Sequence, residues 1–387
     1  MIGLWLISIP VMVPLIILMC ELAMGLMKLN APDSASDNPP RVVILMPAHN
    51  EAAIIAETVK AVLPALPANS TLLIVADNCT DETAQIARES GATVIERTDP
   101  GQRGKGYALA FGKQHLEQAP PDCVIILDAD CLPGQQALNQ LAQAAVKLNR
   151  PVQANYQFVS PKAASPLVQI SNFAFFVKNL IRQRGMARIG GTALLTGAGM
   201  AFPWPQFAQA AVATDAIVED LAMGVGLLRS GHAPLFLETA TITSAAASAE
   251  GTMGQRRRWE HGYMDTMRRQ ALPLIFTGLK TGSRPVFWTG LHLLVPPLAL
   301  LMFLAGLHWA LLGLCTVLGR GVGPFITLGV LLLLCVALLS LAWAAGGRRH
   351  LSVAAALRLP LYMIWKIPIY LGVLIARQVE WNKTGRT

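Results

Sequence analysis

The chain of 387 residues is 53% hydrophobic and only 14% charged, with a mean hydropathy of +0.46, where an average soluble domain carries about 25% charge. These figures exclude an ordinary soluble enzyme, a disordered chain and a collagen, and they require that part of the chain sit in lipid. The formal charge of +8 does not point to nucleic acid, because residues 28–250 hold 16 Lys/Arg against 19 Asp/Glu while residues 251–387 hold 15 against 3; cations beside apolar segments favour the cytoplasmic membrane face and anionic lipid.

Residues 1–27 form the first predicted element, an apolar run broken only by Glu21 and long enough to cross the hydrocarbon core. No basic residue precedes it, so it reads as an uncleaved anchor, although Ser34-Ala35-Ser36 imitates a signal-peptide cleavage site. Lys28 puts the residues after the anchor on the cytoplasmic side, and Ala31–Pro40 is a short linker. Residues 40–270 then alternate β-branched runs (42–50, 71–78, 92–96, 123–130) with helical patterns (52–63, 81–90, 105–118, 135–148). Such alternation predicts a mainly parallel sheet with helices on both faces, whose ligands bind at the carboxyl ends of the strands.

Residues 285–319 and 321–347 contain no charged side chain and are separated by Arg320. They are expected to form a membrane hairpin, with Pro296-Pro297 kinking its first member and flanking Lys280, Arg284, Arg348 and Arg349 holding both ends in the cytoplasm. Residues 351–377 are apolar but carry Pro360, Lys366 and Pro368. A fourth span would bury Lys366 at about 3 kcal/mol, so an interfacial helix with a snorkelling lysine is expected, followed by a cytosolic tail, 378–387. The six cysteines contain no CxxC spacing and imply neither zinc nor disulfides, as suits a reducing compartment.

Candidate chemistry gathers at strand ends. Asp128 and Asp130 close the fourth strand at alternate positions, so both carboxylates can reach one ion; hard oxygens suit Mg²⁺ or Mn²⁺ held with phosphates. Asp77 ends the second strand, and Asn50-Glu51 the first. Asp81 is expected to cap the helix that follows, with Thr80 as the competing residue. Gly101–Gly106 carries Arg103 and Lys105 among glycines but lacks the Walker spacing; it suits a diphosphate or a solvated turn. Glu219-Asp220 opens an apolar helix, either as charges favoured at its positive end or with one of them as a general base. On a helix Gln255, Arg258 and Trp259 share a face, leaving Arg256 and Arg257 for headgroups. His49 and His261 read as structural, and no Ser-His-Asp set is present.

Taken together these motifs resemble family 2 glycosyltransferases, in the membrane-attached inverting branch with a GT-A fold. The resemblance rests on Pro47–Glu51, Asp77, Asp128-Ala129-Asp130, Thr196–Gly199, Glu219-Asp220 and Gln255-x-x-Arg258-Trp259, in order over residues 41–262. Residues 380–384 look like a tail of bacterial exopolysaccharide-locus members. Asn78 stands where many members carry a second Asp, and Val218 where Thr is usual. The resemblance implies that Asn50, Glu51 and Asp77 seat the nucleotide, most simply uridine, and that Lys105 and Asp128 contact the diphosphate. It implies Asp130, with Asp128, as metal ligand and Asp220 as base. Gly197, Gly199, Glu219, Gln255, Arg258 and Trp259 would border the acceptor and the donor diphosphate.

The expected reaction is inverting transfer from a UDP-hexose or UDP-N-acetylhexosamine to a lipid-linked acceptor at the inner membrane, with processive polymer synthesis as the alternative. A transporter is disfavoured because the two C-terminal spans carry no Asp, Glu, Lys or Arg. A non-catalytic nucleotide-sugar sensor is disfavoured because the metal pair and the base carboxylate are both present.

Overall fold

The computed structural model describes residues 2–30, 38–159, 161, 164–212, 218–246, 249–364 and 366, with 249–253 and 255 as backbone only. Helix α1 (Ile2–Gly25) leads into an α/β unit. Strands β1 (Val42–Ala48), β2 (Ser70–Asp77), β3 (Thr93–Arg97) and β4 (Cys123–Ile126) run parallel in the order β3-β2-β1-β4. Helices α2 (Ile55–Val62), α3 (Thr83–Glu89) and α4 (Lys105–Leu116) connect them. All four residues of β4 and most of β1 and β2 are buried, as an apolar run between two helical layers requires. The edge strand β3 leaves residues open to solvent.

The other half of the sheet is mixed rather than parallel. β7 (Met200–Pro203) pairs antiparallel with both β4 and β6 (Val152–Val159); β8 (Leu235–Ala245) runs parallel to β6, and β5 (Cys131–Pro133) closes the eight-stranded sheet antiparallel to β8. The Cys131↔Ser244 register in the β5–β8 pair places Ser244 beside the acidic turn after β4. Helix α5 (Ala137–Leu148) covers this half, and α8 (Trp204–Gln209) and α9 (Glu219–Arg229) flank β7 and β8 in sequence.

Between β6 and β7, helix α6 (Pro166–Phe176) passes through a π-helical turn at 177–182 into α7 (Gln183–Ile189). This segment docks the anchor. Glu21 of α1 is fully buried against Arg182 Nε at 2.5 Å and His292 Nδ1 at 2.7 Å, while an added Cβ at Gly185 would lie 2.1 Å from the Glu21 carbonyl oxygen. Only glycine admits that approach.

The long helix α10 (Ala249–Thr281) turns back at Gly282 into α11 (Arg284–Leu293). The stretch expected as one kinked span is thus two helices: α11 packs against α10, and α12 (Leu298–Val317) starts afresh after Pro296-Pro297. Two successive prolines remove amide donors and push the residue before each out of the α region. Helices α1, α12 and α13 (Val322–Ala345) are long and apolar enough to cross a membrane.

Beyond them lie α14 (Val353–Ala356) and helical residues 359–364. Val353, Leu357, Leu361 and Ile364 are exposed at a spacing that puts them on one face. Lys366 does not snorkel: its side chain is buried in an ion pair with Glu260, which offsets part of the cost of burying its charge. The remainder of the expected interfacial helix and the tail lie outside the described residues.

Candidate active site

The carboxyl ends of β1, β2 and β4, the start of α4, the 196–197 turn and the start of α9 surround a cleft of about 450 Å³. It contains Glu51, Asp77, Lys105, Asp128, Asp130, Gly197, Glu219, Asp220, Arg258 and Trp259. Parallel strands that stop at one level present their last side chains to one crevice, which is why residues so far apart in the chain converge.

At the nucleotide end, Asp77 Oδ1 accepts from Arg97 Nη1 at 2.7 Å, and the paired register Asp77↔Arg97 brings the two together. Asn78 holds a left-handed φ of 50° that Asn tolerates, and its Oδ1 accepts from Asp99 N at 2.7 Å. Asn78 lines the cleft, and its Nδ2 is buried without a partner among the described residues. Asn50 does not line the cleft. Its side chain is spent on the turn, accepting from Thr80 N at 2.7 Å.

At the centre, Lys105 Nζ donates to Asp128 Oδ1 at 2.5 Å and to the Gly197 carbonyl at 2.7 Å. Burial alone would lower its pKa, but Asp128, Glu219 and Asp220 together hold it above the usual range. Gly197, at φ +92°, marks where the charges meet. A Cβ there would lie 3.4 Å from Asp220 Oδ2, 3.5 Å from Lys105 Nζ and 3.9 Å from Asp128 Oδ2. Gly199 serves packing instead, for an added Cβ would come within 2.7 Å of Ala154 and Ile242.

Asp128 and Asp130 offer oxygens within 4.8 Å of each other and of Cys131 Sγ. Thr58 Oγ1 holds the intervening Ala129 carbonyl at 2.6 Å, and Ser244 Oγ donates to Asp130 Oδ2 at 2.6 Å. Burial, reinforced by the two aspartates, drives the Cys131 thiol well above its usual range, and the two carboxylates supply hard oxygen ligands. That donor set fits Mg²⁺ or Mn²⁺.

Glu219 and Asp220 head α9. Burial, with repulsion from Asp220, raises Glu219 to about 7. Burial also raises Asp220, against the pull of Lys105 and Lys178. Asp220 Oδ1 accepts from Leu221 N at 2.8 Å, leaving Oδ2 toward the Gly197 end of the cleft. Arg258 feels the Glu219 charge, and Trp259 stacks on Phe158 at 6.1 Å and Phe175 at 5.8 Å. Gln255 lies on the same helix, its side chain outside the described residues. Arg97, Ser244 and Tyr156 carry no motif; only strand register brings them beside Asp77, Asp130 and the cleft.

Fold and cleft define an α/β domain whose cleft holds a carboxylate pair suited to a divalent cation and two further buried carboxylates, beside helices apolar enough to cross a membrane. The family description "Glycosyltransferase like family 2" matches residues 39–262, and the chain belongs to that family. It is 38% identical over 98 residues to the low-salt glycan biosynthesis hexosyltransferase Agl6 of Haloferax volcanii, and 32% identical over 108 residues to the probable glycosyltransferase YdaM of Bacillus subtilis. These matches cover 25% and 26% of this chain, and 22% and 26% of the respective relatives. A mannosyltransferase from Pyrobaculum calidifontis, solved with GDP-Man and Mn²⁺, superposes with a TM-score of 0.53 at 18% identity, over 97% of this chain and 94% of that one. The shared fold therefore spans both the α/β unit and the apolar helices of this chain.

Proposed function

We propose that the protein is an inverting hexosyltransferase that moves a sugar from a nucleoside diphosphate sugar, most simply a uridine one, to a lipid-linked acceptor at the cytoplasmic face of the inner membrane. The observation that carries this reading is the convergence at Gly197: a carboxylate base, a lysine and a metal-binding carboxylate lie within 4 Å of one point. A donor with its diphosphate against Lys105 and Asp128 would hold its anomeric carbon toward Asp220. Asp220 takes the proton of the acceptor hydroxyl as its oxygen bonds to that carbon. The bond from the carbon to the diphosphate oxygen breaks, and the nucleoside diphosphate leaves with the electron pair, so one displacement inverts the centre. Lys105 and Arg258 offset the charge that develops there. Asp128 and Asp130 would hold Mg²⁺ or Mn²⁺, which supplies Lewis-acid stabilisation of the diphosphate. Trp259, braced by Phe158 and Phe175, provides an apolar face for an acceptor sugar.

Helices α1, α12 and α13 are apolar enough to attach the protein to a membrane, which would hold the cleft next to lipid, and the exposed face of residues 353–364 suits the interface. The flanking arginines support a cytosolic catalytic domain. Three spanning helices by themselves do not enclose a hydrated sugar path, which favours addition of one sugar, or very few, over processive extrusion. Such an activity serves exopolysaccharide or glycolipid assembly.

The test is a donor-release screen over nucleotide sugars with detergent-purified protein, Mn²⁺ and lipid-linked acceptors. A discrete product one sugar larger is expected. A long polymer ladder from nucleotide sugar alone overturns single addition, and no turnover of any donor overturns the enzyme reading.

A further inference from the structure

A second cavity, of about 90 Å³, lies across Trp259 from the donor cleft, and that indole borders both. Its walls come from spanning helix α1 at Leu18, the 177–182 turn, α10, and residues 295–299 where α12 begins. It therefore sits where the catalytic domain meets two membrane helices, with room for a group of several heavy atoms.

The charge in it is predominantly positive: among the described residues Glu260 is the one acidic residue of its lining, and its pull reaches both Lys178 and Arg256. Arg182 is neutralised by Glu21, and Lys366 by Glu260. Among the described residues Arg256 is held by neutral groups: Ser171 Oγ at 2.5 Å, the Ser171 carbonyl at 2.7 Å, and the rings of Phe175 and Trp259 at 5.5 and 5.3 Å. Lys178 makes neither a hydrogen bond nor a salt bridge among the described residues. Burial pushes its ammonium down to about 8, with Asp220 pulling the other way. The start of α12 adds to this field, since Pro297 precedes it and no side chain caps it. Its leading N–H groups have no helical acceptor, and Leu298 and Ala299 border the cavity. Partly buried cations whose acidic neighbour, Glu260, is already paired with Lys366 are costly, and an uncapped helix start attracts anions. An entering oxyanion offsets the cationic excess and takes up the free N–H groups.

We propose that this cavity binds a phosphate ester carried on a lipid, the phosphate or diphosphate joining the acceptor to its hydrocarbon chain, through Lys178, Arg256 and the first N–H groups of α12. The inference rests on the glycosyltransferase reading. It narrows the lipid-linked acceptor to the phosphate-bearing class. The hydrocarbon leaves past Leu18 and Leu298 into the bilayer. The saccharide passes Trp259 toward Asp220, whose charge Lys178 already feels.

Full-length protein in neutral detergent should be titrated calorimetrically with farnesyl phosphate, farnesol, inorganic phosphate and dioleoylphosphatidylglycerol, and separately with UDP and Mn²⁺. Farnesyl phosphate should bind at least about tenfold more tightly than the other three. Lys178→Gln and Arg256→Gln should each weaken it about tenfold or more, with Lys178→Arg close to native and nucleotide affinity unaltered in all three. Equal affinity for farnesol, or native affinity in both glutamine variants, overturns the site. Equal binding of phosphatidylglycerol overturns the acceptor assignment in favour of a general headgroup site. Nucleotide binding is measured on the same samples, so its failure strikes the enzyme reading alone, and lost lipid-phosphate binding with intact nucleotide binding strikes this inference alone.

Discussion

Replacing Asp220 with Asn separates base from scaffold, because the two residues are isosteric and the structure shows what each atom does. Oδ1 accepts from Leu221 N at 2.8 Å, a bond that the Asn carbonyl oxygen keeps, so the first turn of α9 should be undisturbed. The charge removed is one whose burial is unfavourable and which repels Glu219, so folding should not suffer. What disappears is the proton acceptor at Oδ2. General base catalysis is worth about 10²–10⁴-fold, or about 3–5 kcal/mol of barrier. The Asp220→Asn variant should therefore bind UDP with Mn²⁺ as the native protein does while transfer falls by that factor. The assay is product formation at saturating donor and acceptor across pH, beside a nucleotide titration. In the native protein the rate should fall as pH drops through the raised pKa of Asp220, since only the carboxylate takes a proton; the variant should lack that limb. Native turnover with weakened UDP affinity would make Asp220 a binder and refute the argument.

Asp130→Asn should abolish metal-stimulated transfer yet leave the protein folded, read by EDTA and Mn²⁺ titrations; full activity of the variant in metal-free buffer would remove Asp130 from the site. Glu219 holds a folded-state pKa near 7 against an ordinary 4.5, so its contribution to stability is complete below 4.5 and is lost as pH rises through 7. Glu219→Gln should accordingly flatten the fall in detergent melting temperature across that window, and an unchanged slope would contradict the shift. Glu21→Ala strands Arg182 in the buried contact between anchor and catalytic domain, which should cost about 3–5 kcal/mol and lower the melting temperature clearly; an unmoved transition would mean that the pair is dispensable. A reporter fused at the C-terminus should read cytoplasmic if residues 351–377 lie on the membrane surface, and a periplasmic signal would establish a fourth span.

Much of this molecule is legible in its residues one segment at a time. The apolar runs of α1, α12 and α13, the acidic turn after β4, the glycine-flanked Lys105 and the carboxylates heading α9 stand out because hydropathy, turn chemistry and spacing are local properties. Alternation of strand and helix likewise points to the parallel half of the sheet. Other features depend on partners far away in the chain. That Asn50 faces Thr80 rather than the cleft, that Gly199 makes room for Ala154 and Ile242, and that Ser244 braces Asp130 are consequences of strand register and turn closure, which pack residues of remote number side by side. The break of 285–319 into two helices needs both the proline pair and the surface of α10 on which α11 lies. Lys366 reads as a membrane-surface residue because its own neighbours are apolar; Glu260, 106 positions earlier, buries it instead. Lys178 and Arg256 acquire meaning only when α1, α6, α10 and α12 enclose them. A side chain's charge is written in the sequence, whereas the presence or absence of its counter-ion is decided by packing.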